Sequence, residues 1–167
     1  MLLSTLESNE RSEHPVDVVE RLACLKDWSF DREDPDEISI SLSGSWADYT
    51  AAFTWLPQFE ALHLACAFDL KVPERRRAEA AQLVARINEH LWVGHFDVWL
   101  RDGVIMFRHA LPLAGGAQAG SAQCEALLAN ALEACERYYQ AFQFGVWAGK
   151  TAAEALEGAM LETQGEA

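Results

Sequence analysis

The side chains with the widest chemical scope in this 167-residue chain are five histidines and four cysteines. A zinc centre needs three or four ligands converging on one small space. His90 and His95 flank Gly94 at what reads as a helix end, so they do not share one helical turn. His63 and His109 fall in strand-like segments that could be neighbours, and no H-E-x-x-H or Cys/His ladder accompanies them. His14 stands alone near the start. The pattern predicts strand-surface or hydrogen-bonded histidines, with no metal and no other cofactor. Cys24, Cys66, Cys124 and Cys135 form no C-x-x-C pair. Cys124 and Cys135 could share a helix face but would lie about 16 Å apart along its axis, too far for a disulfide. The cysteines therefore read as reduced thiols packed as small hydrophobes, which suits a cytoplasmic protein. Cys66 beside His109 has the types for nucleophilic catalysis, but no third orienting group or G-x-S-x-G elbow marks them. Asp34 and Asp36 share a charged turn and read as breakers, not as an acid/base pair.

Two further segments invite a chemical reading. Gly145-Val146-Trp147-Ala148-Gly149-Lys150-Thr151 is one residue short between its glycines for a phosphate-binding loop. It carries bulky residues where the backbone must wrap, and it follows a helix instead of a strand. It reads as a helix end followed by a helix start. Arg75, Arg76 and Arg77 open a helix, where positive charge opposes the dipole. They either pair with nearby acids such as Glu74 and Glu79 or dock an acidic partner segment.

These residues must be positioned by helices and by strands that come in groups. Pro15 with Val16, Val19, Leu22 and Ala23 predicts a helix stopping near Trp28. Asp31 to Asp36 reads as a charged turn. Ile38, Ile40 and Leu42 alternate with serines, a strand signature. Trp46–Trp55 and Phe59–Leu70 follow as strands, with Tyr49, Ala51, Phe53 and Trp55 on one face. Val72-Pro73-Glu74 starts a helix with the stripe Ala80, Leu83, Val84, Ile87 and Leu91. His95–Leu100 and Val104–Leu111 are strands joined through Asp102-Gly103, a hairpin cue. Ser121 opens a long helix ending at Gly145 or Gly149, and Thr151-Ala152-Ala153-Glu154 is a capping box for a last short one. The expected fold is α+β: an antiparallel sheet of about five strands in the order α-βββ-α-ββ-α, grouped as in that class.

Half of the residues are hydrophobic and 10% aromatic, enough for one core. A single domain over residues 14–163 is expected, between a flexible tail (1–13) and a frayed end (164–167). No basic start and no long apolar run point to export or a membrane. The net charge of −13 opposes nucleic acid and anionic lipid as partners. Aromatics alternate along the strands, so a sheet face its helices leave open would be a binding surface.

Pro15-Val16-Asp17-Val18-Val19-Glu20-Arg21-Leu22, Trp46-Ala47-Asp48-Tyr49 and Leu62-His63-Leu64-Ala65-Cys66-Ala67-Phe68 resemble the YbjN family of bacteria. So does Ile87-Asn88-Glu89-His90-Leu91-Trp92-Val93-Gly94-His95-Phe96, followed by Gly103-Val104-Ile105-Met106-Phe107-Arg108-His109. The helix ending Asn-x-x-Leu, then Gly-x-Phe and a hairpin, carries the likeness as a combination, over about residues 15–162. The resemblance implies a fold like type III secretion chaperones, a homodimer, and a sensory-transduction regulator with no catalytic residues. The function expected is binding of another protein by a chaperone-like regulator, with Trp46, Tyr49, Trp55, Trp99, Arg75, Arg76 and Arg77 as contact residues. Alternatives are a small-molecule sensor, with a pocket between sheet and helices using His63, His109 or Arg108, and a metal-dependent enzyme.

Overall fold

A computed structural model describes residues 11–165. The first helix, α1 (Pro15–Leu25), is set by its start. His14 precedes it, its Nδ1 accepting the Val16 N–H at 3.1 Å, with Pro15 in the first turn. Val16, Val18, Val19, Leu22 and Ala23 are buried. The helix ends three residues earlier than its composition suggests, because Asp27 turns the chain with a left-handed φ of 57°.

Six strands follow in two groups: β1 (Ser29–Asp34), β2 (Glu37–Ser43), β3 (Asp48–Leu56) and β4 (Ala61–Lys71), then, after α2 (Arg77–Asn88), β5 (His95–Trp99) and β6 (Val104–Pro112). The chain closes with α3 (Ser121–Val146) and α4 (Ala152–Gly165). All pairings are antiparallel, in the order β1-β2-β3-β4-β6-β5. The α+β class stands, with one strand more than expected. Most of the segment read as a charged turn is β1, whose Phe30 pairs with Ile40 and Asp31 with Ser39. An edge strand needs no apolar alternation, and charge on it discourages pairing with other chains. Its Arg32 faces α1 and bonds both Asp17 and Glu20.

Tyr49, Ala51, Phe53 and Trp55 of β3, Leu62, Leu64, Cys66 and Phe68 of β4, and Phe107 of β6 all point to one side and are buried. The buried faces of α1, α2 and α3 meet them there, and α4 packs on α2 and α3. Aromatic side chains fill the centre: Phe68 and Phe96 lie 5.3 and 5.2 Å from Phe142, ring centre to ring centre.

Some expected caps changed hands. Gly120, not Ser121, precedes α3, and its N–H donates to the Gln123 side chain at 2.8 Å. The Thr151–Glu154 capping box formed: the Glu154 N–H meets Thr151 Oγ1 at 3.2 Å, and the Thr151 N–H meets Glu154 Oε2 at 3.3 Å. Residues 11–13, expected to belong to a loose tail, are tied down. Arg11 donates to the carbonyls of Ala117 and Leu113 and pairs with Glu60, and Glu13 pairs with Arg21. Residues 1–10 and 166–167 lie outside the described residues.

Candidate functional site: the helix-free face of the sheet

Among the described residues every helix lies on one side, and the other face of the sheet has no covering element. Strand register writes its surface directly, since opposed residues of an antiparallel pair point the same way. One row runs Ser39, Ala52, Ala65, Arg108, His95 from β2 to β5. The next runs Ser41, Thr50, Ala67, Met106, Asp97, and a third Glu37, Thr54, His63, Ala110. The middle of this face is built from Ser, Thr and Ala, so backbone lies close to the surface. Trp99, opposite Val104, stands at one corner and is half exposed. β5 pairs with β6 only as far as Arg108, so beyond that point His109–Pro112 has a strand neighbour on one side alone.

The polar feature of this face is a three-residue relay. Arg108 donates from Nε to His63 Nε2 and from Nη1 to Asp97 Oδ2, each at 3.2 Å. A histidine nitrogen that accepts must be unprotonated, so His63 is neutral here with its proton on Nδ1. Burial holds the His63 imidazole below its ordinary pKa, helped by the charges of Arg108 and His95. His109, on the opposite face of β6, is likewise lowered, first by burial and then by His95. His63, Gly94, His95, Arg108, His109 and Ala110 line one open hollow of about 350 Å³.

The expected contact residues separate into two groups. Trp46, in the β2–β3 turn, and Trp99 are 45% and 49% exposed. Tyr49 and Trp55 are not surface anchors: they face the helices at 2% and 9% exposure. Their strand alternates, and the side with the large rings is the side a core requires. Tyr49 packs on Phe68, and Trp55 lies under the Arg11 guanidinium, 4.6 Å from the ring centre. Burial and the nearby Glu136 carboxylate raise the Tyr49 phenol well above its ordinary pKa.

Arg76 and Arg77 are also committed within the fold. Arg76 Nη2 donates to the carbonyls of Gly145 and Lys150 at 2.6 and 2.7 Å. Arg77 donates to the carbonyls of Val72, Leu100 and Arg101. Only Arg75 of the three is exposed and unbonded among the described residues. The loop once compared with a phosphate cradle is a helix terminus: Gly149 takes a φ of 69°, and the Lys150 N–H returns to the Phe144 carbonyl.

Cys66, Cys124 and Cys135 are buried, whereas Cys24 sits on the solvent side of α1, against the expectation that all four pack inside. Burial pushes the Cys124 thiol up to about 11, and burial followed by a hydrogen bond with the free Cys66 thiol raises Cys135. The supposed pocket between sheet and helices for His63, His109 and Arg108 is instead the hollow described above, with His63 and Arg108 on the helix-free side. No group of three or more His, Cys, Asp and Glu side chains converges as a metal site among the described residues.

Sequence reasoning gave no role to Asp97 or Trp92, weighed His95 only as a metal ligand, and used Asn88 only as part of a family motif. Asp97 and His95 alternate with the buried Phe96 and Val98, which signals an outward face. Their link to His63, through Arg108 of β6, depended on a β4–β6 pairing that skips β5. Trp92 is 99% exposed, and nothing in its neighbours marks it.

The profile of the YbjN family, described as "Putative bacterial sensory transduction regulator", matches residues 15–144. The chain belongs to the YbjN family. Among solved structures it is similar to "Crystal structure of YbjN, a putative transcription regulator from E. coli", with a TM-score of 0.53 at 11% identity, covering 72% of this chain and 85% of that one. That likeness is one of fold. It also matches "Crystal Structure of the ExsC-ExsE Complex" with a TM-score of 0.42 at 20% identity, over 75% of this chain and 95% of that one. No curated protein matches the sequence.

In this YbjN chain Asn88, Gly94 and Phe96 of the Asn-x-x-Leu…Gly-x-Phe combination hold the sheet edge. Asn88, at the end of α2, donates Nδ2 to the Phe96 carbonyl at 3.0 Å and accepts the Phe96 N–H on Oδ1 at 2.8 Å. One side chain thus stands in for a neighbouring strand on β5. Gly94 has a φ of 70°, and a Cβ there would lie 2.3 Å from the Phe107 ring. Among the described residues no helix is long and apolar enough to cross a membrane.

Proposed function

We propose that this YbjN-family chain is a non-catalytic regulator that works by binding another protein in the cytoplasm, with the helix-free sheet face as its contact surface. The observation carrying this reading is that, among the described residues, α1, α2 and α3 pack on one face of the six-stranded sheet, α4 packs on α2 and α3, and no helix covers the other face. Sheets of this kind usually have only one solvated face, and that face is normally covered with charged and long polar side chains. Here the two middle rows are Ser, Thr and Ala across β2, β3 and β4, which allows a partner backbone to approach closely there. Trp99 supplies on this face a half-exposed ring of the kind that anchors protein interfaces; outside its rows, Trp46 in the β2–β3 turn and Arg75 before α2 offer a second exposed ring and a free cation for an acidic partner residue. The short open edge at His109–Pro112 could accept an added strand.

The test is variant-dependent capture from the cell of origin. Ala52→Arg places a long cation in the centre of the face, and Gln82→Arg places one on exposed α2. The wild type and Gln82→Arg are expected to retain one defined partner in stoichiometric amount, and Ala52→Arg to lose it. Equal recovery by all three would overturn the assignment of this face. Sedimentation of the purified protein distinguishes a foreign partner from a second copy on the same surface.

A further inference from the structure

We propose that the hollow at His63, His95 and Arg108 is a binding site for a small oxyanion, a carboxylate or phosphate group, and that protonation of His63 controls its occupancy. The inference stands apart from the partner reading, because ions alone can fill the site.

The geometry begins with Arg108. It spends Nε on His63 and Nη1 on Asp97. Its Nη2 makes no hydrogen bond among the described residues, leaving a pair of donors at a half-buried position. An oxyanion is the ligand that a guanidinium edge of this kind recognises. The surrounding groups point the same way. Three imidazoles, His63, His95 and His109, border the hollow with Arg108. Opposite His63, β3 contributes Thr54 and β6 Ala110, neither of them charged. From β5 come His95 and Asp97, and the row of His63 ends at Glu37, beyond Thr54 on β2. Among the described residues that line the hollow or bond Arg108, Asp97 is the one carboxylate. On a chain of net charge −13, this is a local concentration of cationic and protonatable groups.

Control follows from the His63–Arg108 hydrogen bond. While His63 is neutral, its Nε2 takes the Arg108 Nε–H. Once protonated, Nε2 becomes a donor and the bond cannot form. Arg108 Nε is released, and two adjacent positive charges need an anion between them. Binding and protonation thus support one another: an anion raises the histidine pKa, and acid tightens the anion.

Sulfate and formate are suitable probes, because neither changes charge between about pH 5.5 and 7.5, the range in which histidine titrates. NMR of the histidine side chains at constant ionic strength is expected to show saturable shifts of His63 and His95, and a rise in the His63 midpoint when the ion is added. A one-unit rise corresponds to about tenfold tighter binding at the acid end of the range. Arg108→Gln should lose binding. His63→Gln, whose amide oxygen can still accept from Arg108, should keep binding and lose most of its pH dependence. Asp97→Asn should bind more tightly at both pH values. Saturation by formate alone assigns a carboxylate ligand, and saturation by sulfate alone a phosphate-like one. Absence of saturation by either ion below about 50 mM, a range weaker than specific recognition requires, would overturn the proposal. So would undiminished binding by Arg108→Gln, or an unchanged pH dependence in His63→Gln. Ala52→Arg, which disables the proposed partner face, should leave ion binding intact, so failure of one reading is separable from failure of the other.

Discussion

His63 shows how one side chain can be read only through its neighbours. Its folded pKa lies below the ordinary value of 6.5, chiefly through burial. The unfolded chain therefore binds more protons than the folded one as pH falls through that value, and stability must drop with it. His109 adds in the same direction. Thermal unfolding followed from about pH 8 to 5 should show the midpoint falling below about pH 6.5. His63→Gln should flatten part of that fall, and an unchanged curve in that variant would show that the His63 linkage is negligible. Gly94 is legible at the same scale: Gly94→Ala meets both a left-handed φ and the Phe107 ring. Overpacking of a core ring costs about 1–3 kcal/mol and the backbone strain adds to it. Urea unfolding should place the loss at that level or above.

At the scale of elements, the Arg75–Arg77 cluster explains itself once the ends of other helices are in view. Read along α2 alone, positive charge at a helix start is unfavourable. In the fold, Arg76 does not serve its own helix. It caps the last carbonyls of α3 and the turn beyond, a cation at a negative dipole end. One turn further on, Glu79 accepts the Ala152 N–H at the start of α4, an anion at a positive end. The start of α2 therefore clamps the α3–α4 junction with charges of matching sign, and the dipole cost is offset. Arg76→Ala should lose about 1.5–3 kcal/mol in urea unfolding, the range for hydrogen bonds to a charged group. Arg75→Ala, which breaks no such bond, should stay within about 0.5 kcal/mol. Asn88→Ala should cost about 1–3 kcal/mol by leaving the Phe96 N–H and carbonyl unpaired, with hydrogen exchange fastest at β5. A silent Asn88→Ala would mean that water replaces the clamp.

At the scale of the whole molecule, the proposed function rests on an asymmetry: the large rings of β3 and β4 lie on the covered side of the sheet and their small residues on the open side. If the open face is the contact surface, Trp99→Ala should weaken partner capture by about 2 kcal/mol, the usual threshold for an interface anchor, with little change in stability. Trp55→Ala should instead destabilise the fold by about 3–5 kcal/mol as a buried aromatic truncation. The reverse pattern would place the function elsewhere. The sequence alone was enough for the α+β class, the position of nearly every helix and strand, the helix-end nature of 145–151 and the family resemblance, because period, capping and turn chemistry are local properties. It was not enough for β1, whose charged residues carry no apolar period and become a strand only because β2 offers a ladder. Nor could it say which side of β3 faces water. Alternation reveals that two faces differ, but which one is buried depends on where the helices dock. The meeting of His63 with Arg108 and Asp97 was decided there too. It needs β6 to lie between β4 and β5, a long-range pairing that no window of sequence encodes.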